Sequence, residues 1–227
     1  LDTIIAPISA GSPLGCSVSH DADFEALKRE VGKLSGIDYD LLDRNARAIL
    51  SGKSKDLRVV SYLAFVCLQR ERWEALADVI QGLAELLQHH FDGVFPRRPR
   101  ARQMALAWLS ENRFVGALEG KRPSESDHVH LVRLVDALAG LGTALDRLFP
   151  PNPPFPSALL QAARAWARDC RPKPARQGTT TPSSAQGGET FSLGSPVDAT
   201  QAARRAALYL VDCEPCKPLG YALLRSV

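Results

Sequence analysis

Ser54-Lys55-Asp56-Leu57-Arg58-Val59-Val60-Ser61-Tyr62-Leu63-Ala64-Phe65-Val66-Cys67-Leu68 is the stretch on which the fold turns. Charged residues open it, and a nearly unbroken apolar run follows. Ser54 is placed to cap a helix, with Asp56 in the first turn, where the helix dipole favours negative charge. On a helix, Leu57, Val60, Ala64, Cys67 and Leu68 form one stripe, and Val59, Tyr62, Leu63 and Val66 form a second. A helix that is apolar on more than one side belongs in an interior. The expectation is a central helix with the other helices of residues 1–170 packed around it. Arg58, one turn into that helix, needs an acidic partner or backbone carbonyls, because a buried guanidinium must be paired.

Upstream, Leu42, Ala46, Ile49 and Leu50 share a helical face over residues 38–50, and Ser51-Gly52 supplies the stop. Before that, Asp21 or Asp23 starts a helix carrying Phe24, Leu27, Val31 and Leu34. Residues 1–19 hold Pro7, Pro13, Gly11 and Gly15 and read as an extended arm anchored by Ile4, Ile5, Ile8 and Leu14. Downstream, residues 73–91 carry a broad apolar stripe from Leu76 to Phe91. Phe95-Pro96 interrupts the chain, and a helix with Met104, Ala105, Trp108 and Leu109 follows. A long helix over residues 125–149 and a shorter one over 156–169 complete the pattern, separated by Pro150-Pro151-Asn152-Pro153-Pro154. No strand-period segment stands out. The fold class expected is all-α, an irregular bundle or stack of antiparallel helix pairs.

Composition changes after this point. Residues 171–197 are rich in Pro, Gly, Ser and Thr and read as a linker. Residues 198–227 read as the helical start of a second domain, too short to bury a core alone.

The 227-residue chain is 45% hydrophobic and 23% charged, with a formal net charge of +3, values of an ordinary globular protein. No apolar run approaches the roughly 18 residues of a membrane span. The first residues lack a basic region and a long apolar stretch, so no signal peptide is expected. The five cysteines include Cys67 inside the apolar helix, which favours free thiols and a cytoplasmic location.

Candidate sites are sparse. His89 and His90 are adjacent, and His128 and His130 lie two apart, so neither pair shares a helix face for chelation. Cys213 and Cys216 form a C-x-x-C without a second ligand pair or a β-α-β setting, and read as a helix–helix turn. No metal site and no cofactor site is expected. Arg97, Arg98, Arg100 and Arg102 form the densest basic patch, suited to protein contact or, as an alternative, to nucleic-acid phosphates. It lacks the interleaved aromatics of a single-strand binder. No phosphate loop, nucleophile elbow or zinc-protease motif is present.

Several of these residues resemble a known family. Pro7-Ile8-Ser9, Pro13, Gly15 and Asp23-Phe24 are similar to the start of the ImpA-type N-terminal domain of TssA proteins of bacterial type VI secretion systems. Ser54-Lys55-Asp56-Leu57-Arg58 resembles that family's most recognisable motif, here followed by Tyr62-Leu63. Phe91-Asp92, Phe95-Pro96, Ala107-Trp108-Leu109 and Glu111-Asn112-Arg113-Phe114 extend the likeness, with Phe91 where relatives often have Trp. Glu214-Pro215, Pro218, Tyr221 and Leu224-Arg225 resemble the start of the family's middle region. The resemblance implies a non-enzymatic, cytoplasmic assembly factor whose partners are baseplate, sheath or tube proteins. It implies self-association through a region outside this sequence. It supplies no catalytic residues, and it makes Ser54 through Arg58, Leu63, Phe95, Pro96 and Trp108 a signature with a structural role.

Overall fold

The computed structural model describes residues 2–172. The remainder of the linker expected over 171–197, the helical element expected over 198–227, and Cys213 and Cys216 lie outside the described residues. Within them the protein is all-α, with two isolated β-bridges and no strand.

The first elements are α1 (Asp2–Ile5), α2 (Ala22–Val31) and α3 (Tyr39–Gly52). Asp21 caps α2 by accepting the Asp23 and Phe24 N–H groups, and Asp38 caps α3 from the Asp40 and Leu41 N–H groups. The arm expected over residues 1–19 therefore begins with a helical turn, and its Ile4 is fully buried. α2 stops at Val31, short of Leu34, which is 99% exposed rather than on the apolar face.

The central stretch forms α4 (Leu57–Gln69), in which only Arg58, Tyr62 and Gln69 are not buried. α5 (Trp73–His90) follows a short turn. α6 (Pro99–Ala107) begins with Pro99 in its first turn, where a missing N–H costs nothing. A 3-10 turn (Trp108–Ser110) and α7 (Asn112–Gly116) come next. Ser124 and Asp127 form a capping box around a 3-10 turn that leads into α8 (His128–Leu148). α9 (Ser157–Asp169) closes the described chain.

α4 packs against α3, α5 and α6, so it is a hub. It is not the only one. The most extensive helix pairing is α5 with α8, and α9 lies on α8. The buried stripe of α5, Leu76, Val79, Ile80, Leu83, Leu86 and Leu87, is widened by buried Trp73, Ala77, Gly82 and Ala84 on its flanks, and this breadth lets it join the α2–α4 half to the α8–α9 half. Trp73 on α5 meets Trp166 on α9 with ring centroids 4.9 Å apart. Gly82 gives α1 its seat on α5: a Cβ there would lie 3.0 Å from the Ile4 side chain.

Candidate functional site

The first part of the signature, residues 54–57, meets Phe95 and the N-terminal arm at one junction between three chain segments. The Cys16 N–H donates to the Lys53 carbonyl and the Lys55 N–H to the Leu14 carbonyl, both at 3.0 Å. On the other side, the Phe95 N–H donates to the Lys55 carbonyl at 3.1 Å and the Leu57 N–H to the Phe95 carbonyl at 2.8 Å. Residues 54–56 are thus extended backbone held between the arm and the Phe95 loop, with bridges Gly15–Ser54 and Asp56–Phe95. This corrects the expected helix start. Ser54 is not the cap. It is fully buried, and its hydroxyl has no partner among the described residues. Asp56 is the cap.

Each charge at the junction has a distinct fate. Lys55 is 1% exposed. Its Nζ donates to the Thr3 carbonyl at 2.9 Å and to the Leu50 carbonyl at 2.6 Å, with no carboxylate in ion-pair range among the described residues. Leu50 lies in the last turn of α3, where carbonyls lack helical partners and the dipole favours a cation. Burial pushes the Lys55 pKa down to about 8. Asp56 is fully buried and accepts from Arg58 through both oxygens. The Arg58 guanidinium lies 4.3 Å from the Phe24 ring centroid and reaches Ser19 Oγ. Burial works against its charge, but the Asp56 carboxylate outweighs burial and holds its pKa above the ordinary value. Leu57 and Leu63 are core residues.

The basic patch divides. Arg102 is 5% exposed and does not belong to the surface. Its Nε donates to the Pro96 carbonyl at 2.9 Å, and its Nη2 donates to the Asp92 and Val94 carbonyls at 3.0 and 3.3 Å. The guanidinium also lies 4.8 Å from the Phe91 ring centroid. Arg102 therefore fastens the loop that presents Phe95 and Pro96 to the junction. Arg97, Arg98 and Arg100 are exposed, and none forms an ion pair among the described residues. Trp108 is partly buried in an aromatic cluster, edge-on to Tyr62 at 5.1 Å, to Phe65 at 5.6 Å and to Phe114 at 6.0 Å.

Among the described residues, no group of His, Cys, Asp and Glu is arranged to hold a metal ion. His128 Nδ1 is 3.0 Å from the Ala167 carbonyl, which ties α8 to α9. Cys16, Cys67 and Cys170 are free thiols. Among the described residues, no helix is long and apolar enough to cross a membrane.

Sequence reasoning missed the Lys55 and Arg102 anchors because their partners are backbone carbonyls, which carry no sequence signal. It named Ile4 as an anchor of the arm, and Ile4 is buried, but it did not place that anchor on α5, for which Gly82 inside an apolar helical stripe is the available cue.

Comparison with known proteins bears on the same region. The family described as ImpA, N-terminal, type VI secretion system, matches residues 5–111. No curated protein sequence matches the chain. The fold is similar to a solved structure of the N-terminal domain, including the ImpA N-terminal region, of the TssA component of the type VI secretion system from Burkholderia cenocepacia. The TM-score is 0.63 at 17% identity, covering 74% of this chain and 90% of that one.

Proposed function

Since residues 5–111 make this chain a member of the ImpA N-terminal, or TssA, family of type VI secretion systems, we propose that it acts as a non-enzymatic protein-interaction domain in assembly of that machine. Its partners are baseplate, sheath or tube components, its compartment is the cytoplasm, and the full-length protein self-associates through a region outside this sequence. The family match over residues 5–111 is the observation that carries this reading. The chemistry of the signature is consistent with it. Lys55 and Arg102 are used up in holding chain segments together, and Asp56 and Arg58 in pairing with each other at the start of α4. That leaves outer surfaces for function.

The test is co-purification of the tagged 227-residue chain with baseplate, sheath and tube proteins expressed from its own secretion cluster. Retention of a defined component through a high-salt wash supports the reading. Loss of all of them at low salt refutes it.

A further inference from the structure

α4 is covered along nearly its whole length, yet it opens to the surface at Arg58 and Tyr62. Both line one groove of about 260 Å³, closed on its other side by Ala101, Met104, Ala105 and Trp108. Those four positions follow the i, i+3, i+4, i+7 spacing of one helix face, so α6 presents an apolar stripe across the gap. Ser61, on the floor, links the two helices: its single O–H lies between the Leu57 and Ala105 carbonyls, at 3.0 and 2.9 Å from Oγ, and can donate to either. The groove is therefore a built feature of the α4–α6 contact. Met104 is 65% exposed at its lip, an unusual placement for a large apolar side chain. Met adapts to varied partners, and Tyr and Trp are the residues on which interface energy concentrates.

Charge sets the polarity of the groove. Arg97, Arg98 and Arg100 gather at the start of α6, and among the described residues no carboxylate neutralises them. Arg100 stands one turn before Met104, on the same side of the helix. The α6 N-terminus has no side-chain cap, which adds to the positive potential. Glu111 sits at the far end. An apolar groove with a cationic end and an anionic end selects the orientation as well as the charge of its occupant.

We infer that this groove docks an acidic amphipathic segment of a partner protein, with a bulky apolar side chain between Tyr62, Met104 and Trp108 and carboxylates against Arg97, Arg98 and Arg100. The inference rests on the proposed role in secretion-machine assembly and names the surface that performs it. Nucleic acid is the less favoured occupant. Trp108 is engaged edge-on by Tyr62, Phe65 and Phe114, so the rings form a packed wall rather than a free stacking platform.

The experiment uses the whole chain and two fluorescein-labelled helical peptides. Both carry Leu and Phe at i, i+3, i+4 and i+7. One is flanked by glutamates and its twin by lysines. Fluorescence anisotropy at low salt should show saturable binding of the glutamate peptide, weakened at least tenfold by Met104→Glu and by Arg97→Glu/Arg100→Glu. Met104 and Arg100 are exposed with no interaction to lose among the described residues, so Met104→Glu and a single Arg100→Glu should unfold thermally like the parent chain. Arg97, also exposed, bonds the Asp92 carbonyl and lies 4.6 Å from the Phe95 ring centroid, so the double variant is read beside Arg100→Glu alone. Leu34→Glu, on another surface, should change nothing. No binding of the glutamate peptide, equal binding of its twin, or binding indifferent to the variants would overturn the inference. So would a DNA duplex that binds and is lost with the same arginines. Secretion components that co-purify equally with Met104→Glu and the parent chain would sink the groove while leaving the broader role standing.

Discussion

Asp56 grips Arg58 at three points: its Oδ1 accepts the Arg58 backbone N–H at 2.9 Å and Nε at 3.0 Å, and its Oδ2 accepts Nη2 at 2.6 Å. One carboxylate therefore caps α4 and neutralises the only charge in that helix. Arg58→Ala leaves a fully buried carboxylate with one N–H donor. It should cost about 2–4 kcal/mol, below the range for a wholly buried pair because the arginine side chain is 26% exposed. Asp56→Asn/Arg58→Ala should recover part of that loss. Urea unfolding of both single variants and the double variant gives the coupling energy, and simple additivity would refute the pairing.

Leu63 sits midway along α4 with 1% exposure, among the core side chains. Leu63→Ala should cost about 2–5 kcal/mol from lost burial and the cavity left behind. A shift in denaturation midpoint equivalent to under about 0.5 kcal/mol would show that the site collapses freely and is not central.

Lys55 makes stability depend on alkaline pH. Its pKa falls from an ordinary 10.5 to about 8 on folding, because burial disfavours the charged form. Between those values the unfolded chain holds the proton and the folded chain does not, so stability rises as pH increases through this window. Below about pH 8 both states are charged and the desolvation cost is fully present. The gain across the window is at most about 3 kcal/mol. It should appear as a rise in the stability of the parent chain relative to Lys55→Met from pH 8 to 10, followed by chemical denaturation. A constant difference would contradict it.

Gly15 is required twice over. Its φ is +73°, and a Cβ would lie 2.1 Å from the Lys53 carbonyl oxygen. Gly36 also has a positive φ, +65°, but faces open space. Gly36→Ala should therefore cost only the left-handed penalty of about 1–2 kcal/mol. Gly15→Ala should cost clearly more, because the arm must leave its bonds to residues 53–55. Thermal melts of the pair separate backbone strain from the clash, and equal losses would argue against the close approach.

Cys67 and Cys16 should differ in reactivity. Cys67 is buried in α4, and burial pushes its thiol pKa up to about 12, whereas Cys16 is exposed. Brief labelling with an aromatic disulfide, mapped by mass spectrometry, should modify Cys16 in the native protein and Cys67 only after unfolding. Rapid native labelling of Cys67 would show that α4 opens locally.

Much of the architecture was legible in the chain. The apolar density of residues 57–68, the 3.6-residue stripe from Leu76 to Leu87, and the stops at Gly52 and Pro150 are local patterns, and a helix is a local structure. Asp21 and Asp38 mark the starts of α2 and α3 for the same reason. The family signature, too, was readable as a string of residues.

What those residues do was decided only by tertiary structure. Ser54 looked like a cap, but the arm and the Phe95 loop draw residues 54–56 into extended backbone and pass the cap to Asp56. Arg102 looked like part of a surface patch, but the carbonyls of residues 92, 94 and 96 take its guanidinium inside. Lys55 is buried because Thr3 and Leu50 supply oxygens from distant positions and from the end of another helix. The α4–α6 groove arises because two helices whose stripes were each visible meet without filling the gap between them. The sequence determined which segments become helices and which faces seek burial, since both follow from local spacing and side-chain chemistry. Tertiary packing decided which charges are consumed within the fold and which remain on its surface, because a charge's fate depends on backbone oxygens that every residue type carries alike.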